Sequence, residues 1–338
     1  MKTLYDVLTD DCIPAQLKSI LKAITQASKV LSERISLGVF GGVLGSAEQE
    51  NIQGETQKNL DVLANDLLKV YLAKESAVAA LASEEEEGVV ACHQDGKYVV
   101  AFDPLDGSSN IDINGQIGTI FTVYPRLNQY DYAAVEQFLQ PGSQQVCAGY
   151  VLYGPATQLV LCTGGATRSY TLVTNVEVLR DAGLAAGSID LAGEYLLADN
   201  TLSIPQETGE FAVNMAHQTG WSEWAVRYIS DLVLGVSGPR EKTFNMRWNG
   251  AMVGDVHRIL LRGGIFLYPL NRNNPQCPAK LRLLYEANPM AMLVKGAGGL
   301  AYSQGVSMLD VTPQTLNQRV EVILGSAAEV ERCLAYRD

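Results

Sequence analysis

The sequence predicts an α/β protein built from mixed sheets and divided into two domains. Amphipathic helices near the start give way to many short strands in succession, and helical and strand patterns alternate again in the second half. At 338 residues, 47% of them hydrophobic, the chain is long enough and apolar enough for two cores.

Leu17, Ile20, Leu21, Ile24 and Leu31 fall on one helical face, so residues 14–34 read as an amphipathic helix. Residues 38–45 form a glycine-rich loop without the G-x-x-x-x-G-K-[ST] pattern of a nucleotide loop. Leu60, Leu63, Ala64, Leu67, Leu68 and Tyr71 mark a second helix, with Asp61 and Asp66 at polar positions read as solvated surface. Ser83 then precedes four consecutive glutamates, Glu84 to Glu87. Val89-Val90 and residues 98–102 read as paired strands joined by a hairpin turn at Asp95-Gly96. Further strands are expected at 117–123, 149–153 and 158–162, the last two flanking Gly154-Pro155. A turn-rich stretch over 182–208 places the domain boundary near residue 190, giving domains 1–190 and 191–338. Beyond it, 221–232 and 252–261 read as helices and 265–268 as a strand stopped by Pro269. Residues 281–295 read as a helix kinked or restarted at Pro289, and 320–324 as the last strand.

The net charge is −12, which weighs against a nucleic-acid partner. Positive charge for an anionic substrate must therefore be local, and Arg240, Lys242 and Arg247 cluster in an otherwise acidic chain. Six scattered cysteines without a Cys-x-x-Cys pair read as reduced core residues. Residues 1–20 hold no long apolar stretch, and the most apolar run, 263–270, is too short to span a membrane. The expectation is a soluble cytoplasmic protein with no membrane partner.

The most informative stretch is Asp103-Pro104-Leu105-Asp106-Gly107-Ser108-Ser109-Asn110. Behind an apolar strand, two carboxylates and a bare Gly-Ser-Ser backbone can set oxygen ligands for a hard cation beside N–H groups facing a phosphate. A plain turn is the competing reading of Asp, Pro, Gly and Ser. The full octet after a β-branched and aromatic run favours the metal–phosphate site, and the Glu84–Glu87 run is able to meet it.

Ser83-Glu84-Glu85, the octet, Gly254-Asp255-Val256-His257-Arg258, residues 263–269 and Leu281-Arg282-Leu283-Leu284-Tyr285-Glu286-Ala287-Asn288-Pro289-Met290 occur in that order. Together they resemble the class I fructose-1,6-bisphosphatases, within the lithium-sensitive metal-dependent sugar and inositol phosphatases. The resemblance runs from about residue 60 to residue 299 and is weaker before residue 55 and over 175–209. It implies a five-layer α-β-α-β-α sandwich of the sugar phosphatase type. It also implies hydrolysis of the 1-phosphate of fructose 1,6-bisphosphate, in gluconeogenesis or carbon fixation.

By the same resemblance, Glu84, Asp103, Asp106, Glu286 and the Leu105 carbonyl are metal ligands for about two or three Mg²⁺ per subunit, with Mn²⁺ as an alternative. Glu85 and Asp66, beside Glu84, form the catalytic set that takes the proton of the attacking water. Asp106, Gly107, Ser108 and Ser109 face the 1-phosphate, while Asn214, Arg247, Tyr268 and Lys280 hold the far phosphate and the sugar. A homotetramer is implied, with Arg247 reaching a neighbouring subunit's site. His217 and Trp248 depart from the family pattern at that far end, so sedoheptulose 1,7-bisphosphate, alone or as a second substrate, is the alternative. A non-catalytic sugar-phosphate sensor ranks last, because every expected metal ligand is present.

Overall fold

The computed structural model describes residues 1–42, 45–50, 56–175, 177 and 192–337. Strands β1 (Ser46–Glu50) and β2 (Thr56–Lys58) pair with each other. The first large sheet holds β3 (Val78–Ser83), β4 (Val89–Ala91), β5 (Tyr98–Asp106), β6 (Ile117–Pro125), β7 (Cys147–Tyr153), β8 (Thr157–Cys162), β9 (Arg168–Val173) and β10 (Glu194–Asp199). Their spatial order is β10-β9-β8-β7-β6-β5-β3-β4. All neighbours run antiparallel except β3 and β5. In the second half, β14 (Leu281–Arg282) and β17 (Arg319–Val320) form a short pair. The six remaining strands there, β11 (Glu210–Val213), β12 (Asn245–Met246), β13 (Ile265–Tyr268), β15 (Leu300–Ser303), β16 (Val306–Ser307) and β18 (Val322–Gly325), make the second large sheet, ordered β12-β11-β13-β18-β15-β16.

Helices fill the spaces on and between these sheets, giving the five-layer order. Ala15–Ser36 and Asn59–Leu72 cover one face of the first sheet, packing Ile20, Ile24, Leu60 and Leu68 against Phe102, Phe121 and Val151. Met252–Arg262 and Asn288–Gly296 lie between the sheets, with Val253, Val256 and Leu293 among Ile120, Tyr150, Phe266 and Leu324. Glu223–Leu234 and Ala327–Leu334 cover the far face of the second sheet through Tyr228, Ile229 and Val330. The middle helix Asn288–Gly296 buries every residue from Asn288 to Val294, which explains why its sequence shows no polar face. Each such fully buried large apolar side chain contributes about 1.5–3 kcal/mol through removal from water.

Four expectations are corrected. β4 and β5 are not a hairpin, because β3 lies between them, antiparallel to β4 and parallel to β5. β3 is buried along its whole length and takes the inner place. Asp95-Gly96 instead belongs to the connection that crosses β3, and a Cβ at Gly96 would sit 2.3 Å from the Ala79 nitrogen, so only glycine lets the chain pass. Residues 281–282 are strand β14 rather than helix; a π-helical turn, Leu283–Ala287, follows, and the helix restarts as Asn288–Gly296 with Pro289 in its first turn, one of the two outcomes read from the sequence. The expected last strand splits at Glu321 into β17 and β18. Cysteines 147, 162 and 333 are core residues, whereas Cys12 is exposed; all six cysteines are unbridged.

The expected boundary at residue 190 lies outside the described residues. β10, within the turn-rich stretch, completes one edge of the first sheet. No helix among the described residues is long and apolar enough to cross a membrane.

Candidate active site

The octet ends β5 and turns into a short 3₁₀ segment, Ser108–Asn110, through Gly107 at φ +85°. Asp103 folds back to accept the Leu105 N–H at 2.9 Å, which fixes its carboxylate at the strand end. Asp106 accepts the Val253 N–H at 2.6 Å from the first turn of Met252–Arg262. Glu286 is held by the π-helical turn and accepts the Arg282 N–H at 2.6 Å. Ligand oxygens of Asp103, Asp106 and Glu286 lie within 4.8 Å of one another.

Glu84 follows β3, whose parallel neighbour is β5, so the two strand ends deliver their acids side by side. Ser83 and Asn65 set this turn: Ser83 Oγ donates to Asn65 Oδ1 at 2.8 Å, and the Glu85 N–H donates to Ser83 Oγ at 3.3 Å. Asn65 Nδ2 and Lys69 Nζ then hold Glu86 at 2.9 and 2.5 Å, turning it away while Glu84 and Glu85 line the pocket.

Burial and mutual repulsion dominate the acids' protonation. Burial first, then Glu84, Asp106 and Glu286, push the Asp103 carboxyl well above its usual range. Burial, aided by Glu84, raises Asp106 to about 7 and Glu286 to about 8. Among the described residues that line the pocket beside the acids, the one cation is Arg282; its Nη1 lies 2.5 Å from Glu84 and 3.9 Å from Glu286. One guanidinium does not offset four crowded carboxylates. An all-oxygen donor set with surplus negative charge is the chemistry that suits a hard divalent cation, so the residues present fit such an ion.

These acids open onto a cavity of about 540 Å³. Leu105, Gly107, Ser108 and Ser109 line it on the octet side, with Asn214, Trp248, Phe266, Tyr268 and Lys280 opposite. Burial pushes the Tyr268 hydroxyl up, opposed by its bond to Asn214 and by nearby Lys280. Trp248 stacks on Phe266 at 5.9 Å and 13°, and stands 6.1 Å from the Tyr268 ring. His217 reaches the back of this wall, 6.3 Å from Tyr268 by ring centroids and 3.5 Å from the Asn271 amide.

Two residues of the expected set are elsewhere. Asp66 does not line the cavity; its side chain is 62% exposed and pairs with Lys69 at 3.3 Å. Arg247 also lies outside, 52% exposed and 3.9 Å from Glu210. Sequence reasoning missed Asp61 and Arg282. Asp61 lies on the buried stripe of its helix with Leu60, Ala64, Asn65 and Leu68, whereas Asp66 is off that stripe. Burial, then the charges of Glu85 and Glu84, raise Asp61 to about 7. Its Oδ2 accepts the Lys58 N–H at 2.8 Å, while Oδ1 is buried without a partner. The helical stripe was the signal available for Asp61; spacing four residues before Glu286 was the signal for Arg282.

Comparison with known proteins finds relatives over nearly the whole chain. Residues 7–179 match the N-terminal domain model of fructose-1,6-bisphosphatase, and residues 204–338 its C-terminal domain model. The class 1 fructose-1,6-bisphosphatase of Cellvibrio japonicus is 56% identical over 336 residues, covering 99% of each chain. That of Saccharophagus degradans is 50% identical over the same span and coverage. The crystal structure of Leishmania major fructose-1,6-bisphosphatase in holo form superimposes with a TM-score of 0.89 at 35% identity, covering 100% of this chain and 99% of that one. With both domain models matched and such identity sustained from end to end, the chain belongs to the class 1 fructose-1,6-bisphosphatase family.

Proposed function

We propose that this protein hydrolyses the 1-phosphate of fructose 1,6-bisphosphate, releasing fructose 6-phosphate and phosphate. The observation that carries the reading is one cavity in which Glu84, Asp103, Asp106 and Glu286 face Asn214, Tyr268 and Lys280. Acids for a cation stand at one end, and cationic and hydroxyl donors for a sugar phosphate at the other. A divalent ion, Mg²⁺ or Mn²⁺, bound by Glu84, Asp103, Asp106, Glu286 and the Leu105 carbonyl would supply charge neutralisation and water activation there.

The chain's own residues do the rest. Gly107, Ser108 and Ser109 orient the 1-phosphate beside the acids. Asp61 and Glu85 are the proton acceptors for the attacking water; an Asp61 carboxyl held near 7 is poised to take a proton at neutral pH. Asp61 thereby takes over the role expected of Asp66. Tyr268, Lys280 and Asn214 hold the far phosphate, and Trp248 with Phe266 walls the sugar. Residues up to the turn-rich stretch supply the first three metal acids, while residues beyond it supply the sugar side and Glu286, a split that supports the two-domain division read from the sequence.

A homotetramer that brings Arg247 into a neighbouring site is part of the proposal. Arg247 lies outside its own cavity, and the nearby chain exposes Val233, Leu234, Val236 and Met246, apolar side chains that an interface would cover. Six unbridged cysteines support a reducing, cytoplasmic setting. The test is phosphate release from fructose 1,6-bisphosphate and sedoheptulose 1,7-bisphosphate side by side, with and without Mg²⁺. Mg²⁺-dependent turnover of the fructose substrate is expected. Binding of the sugar without phosphate release would overturn the reading.

A further inference from the structure

Asn110, the last residue of the octet, does not line the cavity, yet it is buried and its amide is committed. Nδ2 donates to the Gln116 carbonyl at 3.0 Å and to the Asn249 carbonyl at 2.9 Å, using both amide hydrogens. The first bond closes the octet's turn. The second crosses to the segment that leads into the Met252–Arg262 helix. Two more contacts run along the same seam. A Cβ at Gly107 would come within 2.5 Å of the Ala251 Cβ, so the Gly107 backbone abuts the Ala251 methyl. Asp106 takes the Val253 N–H at 2.6 Å. Residues 106, 107 and 110 thus meet residues 253, 251 and 249 in reverse order. The far side of the segment is held as well: the Asn249 N–H donates to Asp255 Oδ2 at 3.1 Å, and Asp255 Oδ1 is bound by Arg258 at 2.8 Å. Directly before Asn249 stand Trp248 and Arg247.

We propose that Asn110 is a positioning residue which, with Gly107 and Asp106, clamps residues 249–253 against the octet and so sets where Trp248 stands on the sugar wall and where Arg247 emerges. The amide is the required group. An aspartate would set a carboxylate oxygen against two carbonyls, and an apolar residue would leave both carbonyls without a donor in a buried place. The proposal rests on the reading of the cavity as a sugar-bisphosphate site, and it gives the octet a second role in aligning the distant wall of the same cavity.

The test uses Asn110→Ala and Asn110→Asp in the full-length protein. KM for fructose 1,6-bisphosphate should rise about tenfold in both while kcat stays within about threefold, the signature of lost substrate binding with the reacting end intact. The dissociation constant of Mn²⁺ alone, by equilibrium dialysis, should move less than about twofold. In a chain whose single tryptophan is Trp248 (Trp221→Phe, Trp224→Phe), either Asn110 substitution should make the emission markedly more quenchable by acrylamide. If Asn110→Ala does not fold, Asn110→Ser, which keeps one donor, carries the same measurements. A native KM in Asn110→Asp, a loss of kcat with unchanged KM, or unaltered quenching overturns the clamp. If the native protein fails to turn over the sugar bisphosphate, the functional reading fails, while the quenching comparison still decides the clamp.

Discussion

At one end of the cavity four carboxylates crowd a buried space with a single arginine; at the other, stacked rings, a lysine and an asparagine line an open wall. The first end is fixed by electrostatics. Its acids repel one another, so the protein alone holds it in a state that a divalent cation relieves. The second end is fixed by packing and by hydrogen bonds from neighbouring backbone. On the proposed reading, the chemistry of phosphate release resides where substitution is costly, and the choice of sugar where a ring can be exchanged without disturbing the acids.

The sharpest way to break this contrast is at Asp103. Asp103→Ala should lower turnover by about 10⁴-fold or more, while the metal-free protein melts no lower than the parent, since a repelling buried acid has gone. Near-normal phosphate release would sink the acid-end assignment. The proton-acceptor assignment is tested by a pair: Asp61→Asn should cost about 10²- to 10³-fold in kcat and Asp66→Asn less than about twofold. The opposite ranking would return the role to Asp66.

Acid crowding also predicts a pH dependence of stability. Folding raises Asp61 and Asp106 to about 7 and Glu286 to about 8, against about 4 in the unfolded chain. Because the folded values are higher, their stabilising contribution is complete below about pH 4 and is lost as pH rises through about 8. Metal-free protein should therefore melt several degrees lower at about pH 8.5 than at about pH 6, and saturating Mg²⁺ should flatten that slope. A melting temperature that rises with pH in the absence of metal would contradict the crowding. The smallest effect belongs to the sugar end: Trp248→Tyr should change KM for fructose and sedoheptulose bisphosphates by a few-fold and unequally, with kcat unchanged. Equal shifts for both sugars would remove Trp248 from specificity.

Much of the acid end was legible because its residues are local in sequence: strand, two aspartates, glycine and serines fall within one octet, and Glu84 precedes it closely. The α/β class followed from strands and amphipathic stripes, and the layer order from the family resemblance. What stayed hidden depends on three-dimensional neighbours. Asp61 and Asp66 look alike in composition, and only the buried stripe separates them. Arg282 reads as an ordinary charge until the π-helical turn brings Glu286 back beside it. The Asp95-Gly96 turn carried a hairpin signal, yet a fully buried β3 claimed the place beside β5. Asn110 looked like the tail of a turn, because its partner carbonyl lies 139 residues away.

The distance along the chain between Asp106 and Glu286 has a consequence for biosynthesis. Glu286 emerges long after β5 has been made, whereas Glu84, Asp103 and Asp106 need only the β3–β5 pairing to stand together. Glu286 joins that crowd only when the π-helical turn Leu283–Ala287 packs beside β5, adding its charge to those of Glu84 and Asp106 on Asp103. A chain truncated before residue 286 would keep the mutual repulsion of Glu84, Asp103 and Asp106 and lose only the share that Glu286 supplies.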